Sequence, residues 1–182
     1  MTSFVLIRHA ESLWSPDEGR ELSPSGFQAA EALADRLEGV ALDAIYSSPY
    51  RRALQTVAPL AQRRGLEVSE RLELRERSLG AFAGESFEDA LAATWSQFDL
   101  CYPGGESSRA AQHRVFDLVH SLAGRHPAQT VALSTHGNLL ALLLNAFDPE
   151  VDFAFWQSLT LPDAFALQVR PTGNGVFRRI LR

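Results

Sequence analysis

Arg8 and His9 directly follow the apolar stretch Phe4 to Ile7. Arg51 and Arg52 follow Leu42 to Tyr46, and Thr135, His136, Gly137 and Asn138 follow Thr130 to Ser134, while Glu76 stands between Arg75 and Arg77. These residue types suit one chemistry, the handling of a phosphoryl group. Guanidinium forks bind phosphate oxygens bidentately, and backbone N–H groups at helix starts add partial positive charge. A neutral imidazole can attack phosphorus and hold the phosphoryl group as phosphohistidine, splitting a difficult displacement into two steps. In such a site Arg8, Arg52 and His136 would neutralise charge and His9 would attack. Glu76 would protonate the leaving alkoxide, with an adjacent phosphate keeping it protonated. With no Cys/His cluster in the sequence, neither a metal nor another cofactor is expected.

That chemistry requires residues far apart in the chain to meet, and the elements between them decide whether they do. Phe4 to Ile7 is too short for a helix and reads as a buried strand, part of a strand from Thr2 to Arg8. In an open α/β sheet the carboxyl edge, where Arg8 and His9 stand, is where ligands bind. A loop from Ala10 to Glu21 leads to Ser23-Pro24-Ser25-Gly26, a capping residue and an early proline that start a helix. Phe27, Ala30, Leu33, Ala34 and Leu37 would form its core face. A short strand, Leu42 to Tyr46, precedes a helix opened by Ser47 to Arg52 and closed by Gly65. Leu66 to Val68 and Leu72 to Leu74 read as one more, irregular strand.

From Gly84 to Glu106 the chain makes an excursion with a helix over Ser86 to Phe98, read as a small cap on a single domain spanning residues 1–182. A long helix follows from Ser107 to about Gly124, with Val115, Phe116, Leu118, Val119 and Leu122 inward. Thr130 to Ser134 is a further strand, Leu139 to Ala146 an apolar helix, and Phe153 to Trp156 a short aromatic one. Ala164 to Val169 and Val176 to Leu181 flank a Thr172-Gly-Asn-Gly175 turn, a hairpin signal. The expected fold is α/β, three layers around a mostly parallel sheet. Parallel neighbouring strands would bring both histidines and both arginines to one edge.

Composition narrows the class. At 182 residues, 46% hydrophobic and 21% charged, the chain suits one ordinary globular domain. A net charge of −5 argues against nucleic-acid binding. Neither a secretion signal nor an 18-residue apolar run is evident, so a cytoplasmic protein without a membrane partner is the expectation. Cys101, the single cysteine, is read as an unreactive thiol. All 17 basic residues are arginines, which weakens arginine as a functional sign by itself.

Arg8-His9-Ala10-Glu11-Ser12 resembles the signature of the histidine phosphatase superfamily, the phosphoglycerate mutase-like enzymes. The similarity continues in order along the chain: Leu22-Ser23 with Gly26 and Gln28-Ala29; Ser47-Ser48 with Arg52-Ala53 and Gln55-Thr56; Leu74-Arg75-Glu76 with Gly80 and Gly84; Gly105-Glu106-Ser107; and His136-Gly137. The resemblance implies that His9 is the phosphorylated nucleophile and that Arg52, not Arg51, holds phosphate with Arg8 and His136. It implies Glu76 as general acid and Ser15, Gly137 and Asn138 as further phosphate contacts. Two positions depart from the commonest pattern. Ala10 replaces a glycine, which is tolerable if the backbone there avoids positive φ. Ser15 replaces an asparagine with a shorter donor.

The substrate implied is a small phosphorylated molecule, and family habit makes a homodimer plausible, with Phe153 to Trp156 as the patch to test. Between Gly84 and Ser108 the chain carries Glu85, Glu88, Asp89, Asp99 and Glu106 and no Arg or Lys. That acidic, aromatic cap, with Phe82, Trp95, Phe98 and Tyr102 candidates with Trp14 for the substrate mouth, favours hydrolysis over mutase chemistry and an uncharged or partly apolar leaving group. The alternatives are a cofactor-dependent phosphoglycerate mutase, a phosphohistidine-protein phosphatase and a non-catalytic phospho-ligand binder. Taken singly, the residues have plainer readings: Arg51 and Arg52 a solvated helical turn, Glu76 a surface ion pair, His136 a capping residue, and His113, His120 and His126 structural groups.

Overall fold

Phe4, Leu6 and Ile7 are at most 1% exposed, and a strand apolar on both faces must be covered on both. The computed structural model, which describes residues 1–15, 19–84, 86–170 and 173–181, shows how. Strand β1 (Thr2–Arg8) is followed by α1 (Pro24–Arg36), β2 (Ala44–Ser47), α2 (Arg51–Arg64) and β3 (Val68–Glu70). After a 3-10 turn (Leu72–Leu74) come α3 (Phe87–Ser96), α4 (Ser108–Arg125), β4 (Thr130–Thr135), α5 (Gly137–Asn145) and α6 (Phe153–Gln157). Strands β5 (Asp163–Val169) and β6 (Gly175–Arg179) follow. The six strands form one sheet in the order β3-β2-β4-β1-β5-β6. The first four in that order are parallel, and β5 and β6 add an antiparallel edge.

Alternation along the strands divides the core into two layers. Val5, Ile7, Ile45 and Ala132 pack against Leu33 and Leu37 of the α1 region and Val57 and Leu60 of α2. Phe4, Leu6, Val131 and Leu133 pack on the opposite side, with Leu91 of α3, Val115 and Val119 of α4, and the leucines of α5. Neighbouring strands β1 and β4 therefore lead into helices on opposite faces, and a crevice opens between their carboxyl ends. Register aligns that edge: Arg8 lies beside Thr135, and Ser47 beside Ser134. The three strand-to-helix junctions thus leave the sheet together. Every residue from Leu139 to Leu144 is at most 1% exposed, so α5 is sunk in the core and its N-terminus is fixed at the crevice.

Several details differ from the sequence reading. Phe27 is 44% exposed, because α1 meets the loop after β1 through its neighbour Gly26. A side chain at Gly26 would place Cβ 2.0 Å from the Glu11 carbonyl oxygen, so that contact turns Phe27 outward. Leu72 to Leu74 forms the 3-10 turn and not a strand; Leu74 alone of the three is buried. β2 begins at Ala44, two residues later than the apolar pattern suggests. β5 and β6 pair as a hairpin, whereas the turn residue Thr172 lies outside the described residues, as does Glu85 of the excursion. Within that excursion Ala90, Leu91 and Trp95 join the core of α4 and α5, with Phe82, Phe98 and Tyr102 half-buried against it. Trp14 is 88% exposed. Phe153, Phe155 and Trp156 also pack on this core. No described helix is long and apolar enough to cross a membrane.

Candidate active site

The site begins where β1 runs out. The His9 backbone N–H donates to Thr135 O at 3.0 Å, extending the β1–β4 ladder by one residue. Its ring is 7% exposed, with Nδ1 2.7 Å from Ala10 O and Nε2 3.2 Å from Arg52 Nε. A carbonyl can only accept and a guanidinium N–H can only donate, which fixes the tautomer: Nδ1 carries the proton and Nε2 holds the lone pair. Burial lowers the His9 pKa to about 3, with Arg52, Arg8 and Arg20 adding to the effect against the bond to Ala10. The ring is therefore neutral at physiological pH, with its lone-pair nitrogen facing a cation.

The neighbouring contacts explain why that geometry is rigid. Ala10 N donates to Thr56 Oγ1 at 2.9 Å, and Thr56 Oγ1 donates to Arg52 O at 2.7 Å, so one hydroxyl ties the corner after β1 to α2. Ala10 is not among the described non-glycine residues with positive φ, so the alanine is unstrained there. Arg52, in the first turn of α2, is 5% exposed with its guanidinium 4.8 Å from the centre of the Tyr50 ring. Arg51, one residue earlier, points to the surface and pairs with Glu21 at 2.6 Å.

Arg8 Nη1 donates to Leu159 O at 2.9 Å, while Nε is buried without a hydrogen-bond partner. The guanidinium lies over Gly137, where a Cβ would come within 2.8 Å of Nε. Burial pulls the Arg8 pKa down while Glu76 and Asp163 hold it up, and an arginine so placed remains charged. Asp163, opposite Arg8 in the β1–β5 register, is fully buried; it accepts from Thr160 N at 3.0 Å and from Arg179 Nε at 2.9 Å. It thereby shapes the turn whose carbonyl receives Arg8.

His136 is fully buried, its ring edge-on to His9 at 5.1 Å and to Tyr50 at 5.0 Å. Its Nε2 lies 2.8 Å from Ser48 Oγ, which also accepts from Tyr50 N at 3.3 Å. The other ring nitrogen, Nδ1, is buried and without a hydrogen-bond partner. Burial, followed by the nearby His9 and arginines, holds the His136 pKa well below the ordinary histidine value.

Glu76 sits on the α5 N-terminus. Its Oε1 accepts from Arg77 N at 2.9 Å and Leu139 N at 3.0 Å, and Oε2 accepts from Asn138 N at 3.0 Å. The carboxylate is thus held by backbone donors and not by an arginine pair at the surface. Asn138 is buried, with its side-chain Oδ1 unpartnered. Ser15 carries the chain into the loop through its carbonyl, which accepts from Arg20 Nη1 at 3.3 Å. Among the described residues no three His, Cys, Asp or Glu side chains converge in a way that could hold a metal ion.

Sequence reasoning passed over Arg20, Ser48, Thr56 and Asp163. Ser48 and Thr56 stood inside a quoted motif, but nothing in their spacing says which partner each serves. Arg20 lowers the pKa of both histidines, and its Nε is buried without a partner. In a chain whose cations are all arginines, its type carried no signal. A pocket of about 450 Å³ is lined by Tyr50, whose ring meets His136, and by Glu76, Arg51, Arg75, Ser78 and Gly105, with neither histidine on its wall.

Comparison with known proteins bears on this geometry. A family model described as the histidine phosphatase superfamily (branch 1) matches residues 4–179. The chain is 32% identical to phosphoserine phosphatase 1 of Hydrogenobacter thermophilus over 151 residues, 75% of this chain and 71% of the other. It is 30% identical to the 2,3-bisphosphoglycerate-dependent phosphoglycerate mutase of Brucella ovis over 170 residues, 80% and 81% of the two chains. Among solved structures, a mycobacterial glucosyl-3-phosphoglycerate phosphatase superposes with a TM-score of 0.79 at 26% identity, covering 98% of this chain and 97% of its own.

Proposed function

The chain belongs to the histidine phosphatase superfamily (branch 1), enzymes of the phosphoric monoester hydrolase kind, and from that membership we propose that it hydrolyses small phosphomonoesters without a metal, through a phosphohistidine on His9. The observation that carries the proposal is the His9 Nε2 lone pair facing Arg52, in the field of Arg8 and Arg20, whose Nε–H donors are buried without acceptors. Buried donors without acceptors are costly and call for an anion.

In this reading the substrate phosphate takes up those donors, and Arg52 Nε–H turns from His9 to a phosphoryl oxygen. Nε2 attacks phosphorus as the ester P–O bond breaks, and the Glu76 carboxyl, protonated beside the bound phosphate, passes its proton to the leaving oxygen. Water then attacks phosphorus and gives a proton to Glu76. The P–N bond breaks, inorganic phosphate departs and His9 is again neutral. Residues 84–106 would cap the pocket, with Ser15 and the Gly137-Asn138 backbone adding phosphate contacts.

A mutase is the second reading, favoured by one observation. Arg51 and Arg75 reach the pocket from outside the excursion, so an acidic cap does not by itself exclude a second anion. Against retention of a phosphoenzyme stands the open mouth: Leu72 is 66% exposed and Ser78 and Gly104 are exposed, so water reaches the pocket.

Phosphate release from p-nitrophenyl phosphate in the presence of a chelator tests the proposal. Turnover should survive the chelator, fall to background in His9→Ala, and drop roughly 10²–10⁴-fold in Glu76→Ala. Quenching in alkaline detergent should trap a base-stable, acid-labile phosphoenzyme in the wild type and none in His9→Ala. Undiminished turnover in His9→Ala would overturn the mechanism.

A further inference from the structure

Glu76 is carried by a coil, which has no helix or sheet ladder to fix it. Arg75 N donates to Leu72 O at 3.1 Å, and Ser78 O accepts from Glu106 N at 2.8 Å. Between those two points no backbone group bonds another backbone group among the described residues. Of the three backbone donors that hold the Glu76 carboxylate, one is Arg77 N, so the position of residue 77 enters the position of the carboxylate.

Residue 77 is held by its side chain. Arg77 is 5% exposed and reaches into the joint between α3 and α4, where Nη1 donates to Ser108 Oγ at 2.9 Å and Nη2 to Thr94 Oγ1 at 2.7 Å. Both hydroxyls pass their own protons on to α3: Ser108 Oγ donates to Thr94 O and Thr94 Oγ1 to Leu91 O, each at 2.7 Å. Thr94 O lies past the last bond of the helix ladder, Gln97 N to Ala93 O, so the relay also satisfies a carbonyl that the helix leaves open. Arg77 Nε has no partner, and the guanidinium forms no ion pair among the described residues. A cation buried without a carboxylate is costly, and an apolar side chain would pack the same joint at lower cost.

We propose that Arg77 is a positioning residue: its guanidinium ties the segment that carries Glu76 to α3 of the excursion, and so sets the carboxyl against the leaving oxygen. The proposal rests on the reading of Glu76 as general acid and adds what orients it. The excursion then has a task besides covering the pocket, since α3 is the far anchor of the acid.

The test separates the acid from the rest of the site by leaving group. p-Nitrophenolate departs without a proton, whereas the alkoxide of benzyl phosphate needs one, and the two esters are close in size. The quantity read is the ratio of kcat/KM for benzyl phosphate to that for p-nitrophenyl phosphate. Relative to wild type, Glu76→Gln should lower the ratio roughly 10²-fold or more, and Arg77→Lys, which keeps the charge and loses the fork, roughly tenfold. Thr94→Val removes one hydroxyl of the relay at equal volume and should move the ratio the same way, which keeps the test open if Arg77→Lys does not fold. In the Glu76→Gln background Arg77→Lys should lower the ratio no further, because both act through one group. An unchanged ratio in Arg77→Lys and Thr94→Val, even with both rates reduced, or a further fall in the double variant, would overturn the positioning role and leave the hydrolase reading intact. An unchanged ratio in Glu76→Gln would overturn the general-acid reading and the proposal with it. Failure of the wild type to hydrolyse either ester would overturn the hydrolase reading as well.

Discussion

At the scale of single residues, two features suit His9 to the proposed nucleophilic role: its lone pair is on Nε2, and its ring is neutral. Both follow from partners. Ala10 O fixes the proton on Nδ1, while burial and three guanidinium groups oppose a second proton. With the pKa near 3 in place of the ordinary 6.5, the His9 ring should show no protonation step between pH 5 and 8. Ring 15N chemical shifts in the ligand-free protein are the direct check. A His9 signal titrating near 6.5 would mean that the ring is mostly cationic at pH 5.5 and that the site is wetter than described.

At the scale of elements, the site is a contact between the end of β1 and the start of α5. Gly137 lets the two approach, because any side chain there would meet Arg8: an added Cβ lies 2.9 Å from Cζ. Gly137→Ala should therefore shift the guanidinium off its seat and lower kcat/KM by roughly tenfold or more, up to the 10²–10³ lost when a principal electrostatic donor is removed. Because α5 is buried along its length, the helix cannot easily move aside. Steady-state kinetics, with circular dichroism to confirm that the helix is intact, would check this. Unchanged kinetics would show that Arg8 has slack that the packing does not suggest.

At the scale of the whole molecule, two buried neutral histidines couple the site to stability. His9 and His136 have folded pKa values below the ordinary value, whereas in the unfolded chain both titrate near 6.5. Below that pH the unfolded state binds protons that the folded state refuses, so acid favours unfolding. Their contribution is complete above pH 6.5 and is lost as pH falls, for His9 down to about 3. The slope is about 1.4 kcal/mol per pH unit for each histidine. Urea unfolding between pH 7.5 and 4.5 should show stability falling with pH, and a His9→Gln/His136→Gln variant should show a shallower fall. Equal slopes would mean that carboxylates account for the whole effect.

By itself the sequence determined the order of strands and helices, because burial on both faces leaves continuous apolar runs at β1 and β4 and a single face leaves helical spacing in α1 and α4. It also marked where chemistry was possible, since Arg8-His9, Arg52 and His136 each end a strand or border a helix, and Glu76 stands just past the short apolar patch Leu72 to Leu74. Tertiary structure decided which of those residues meet. Adjacent arginines 51 and 52 differ by about 100° around a helix, and only packing against β1 sends one to His9 and the other to Glu21. The partners Ser48, Thr56 and Asp163 act across the sheet or between layers, and local residue patterns carry no record of such contacts. The charge of the pocket was undecided for the same reason. An acidic excursion suggested an uncharged leaving group, whereas the fold commits Glu106 to Arg114 and brings Arg75 to the pocket wall.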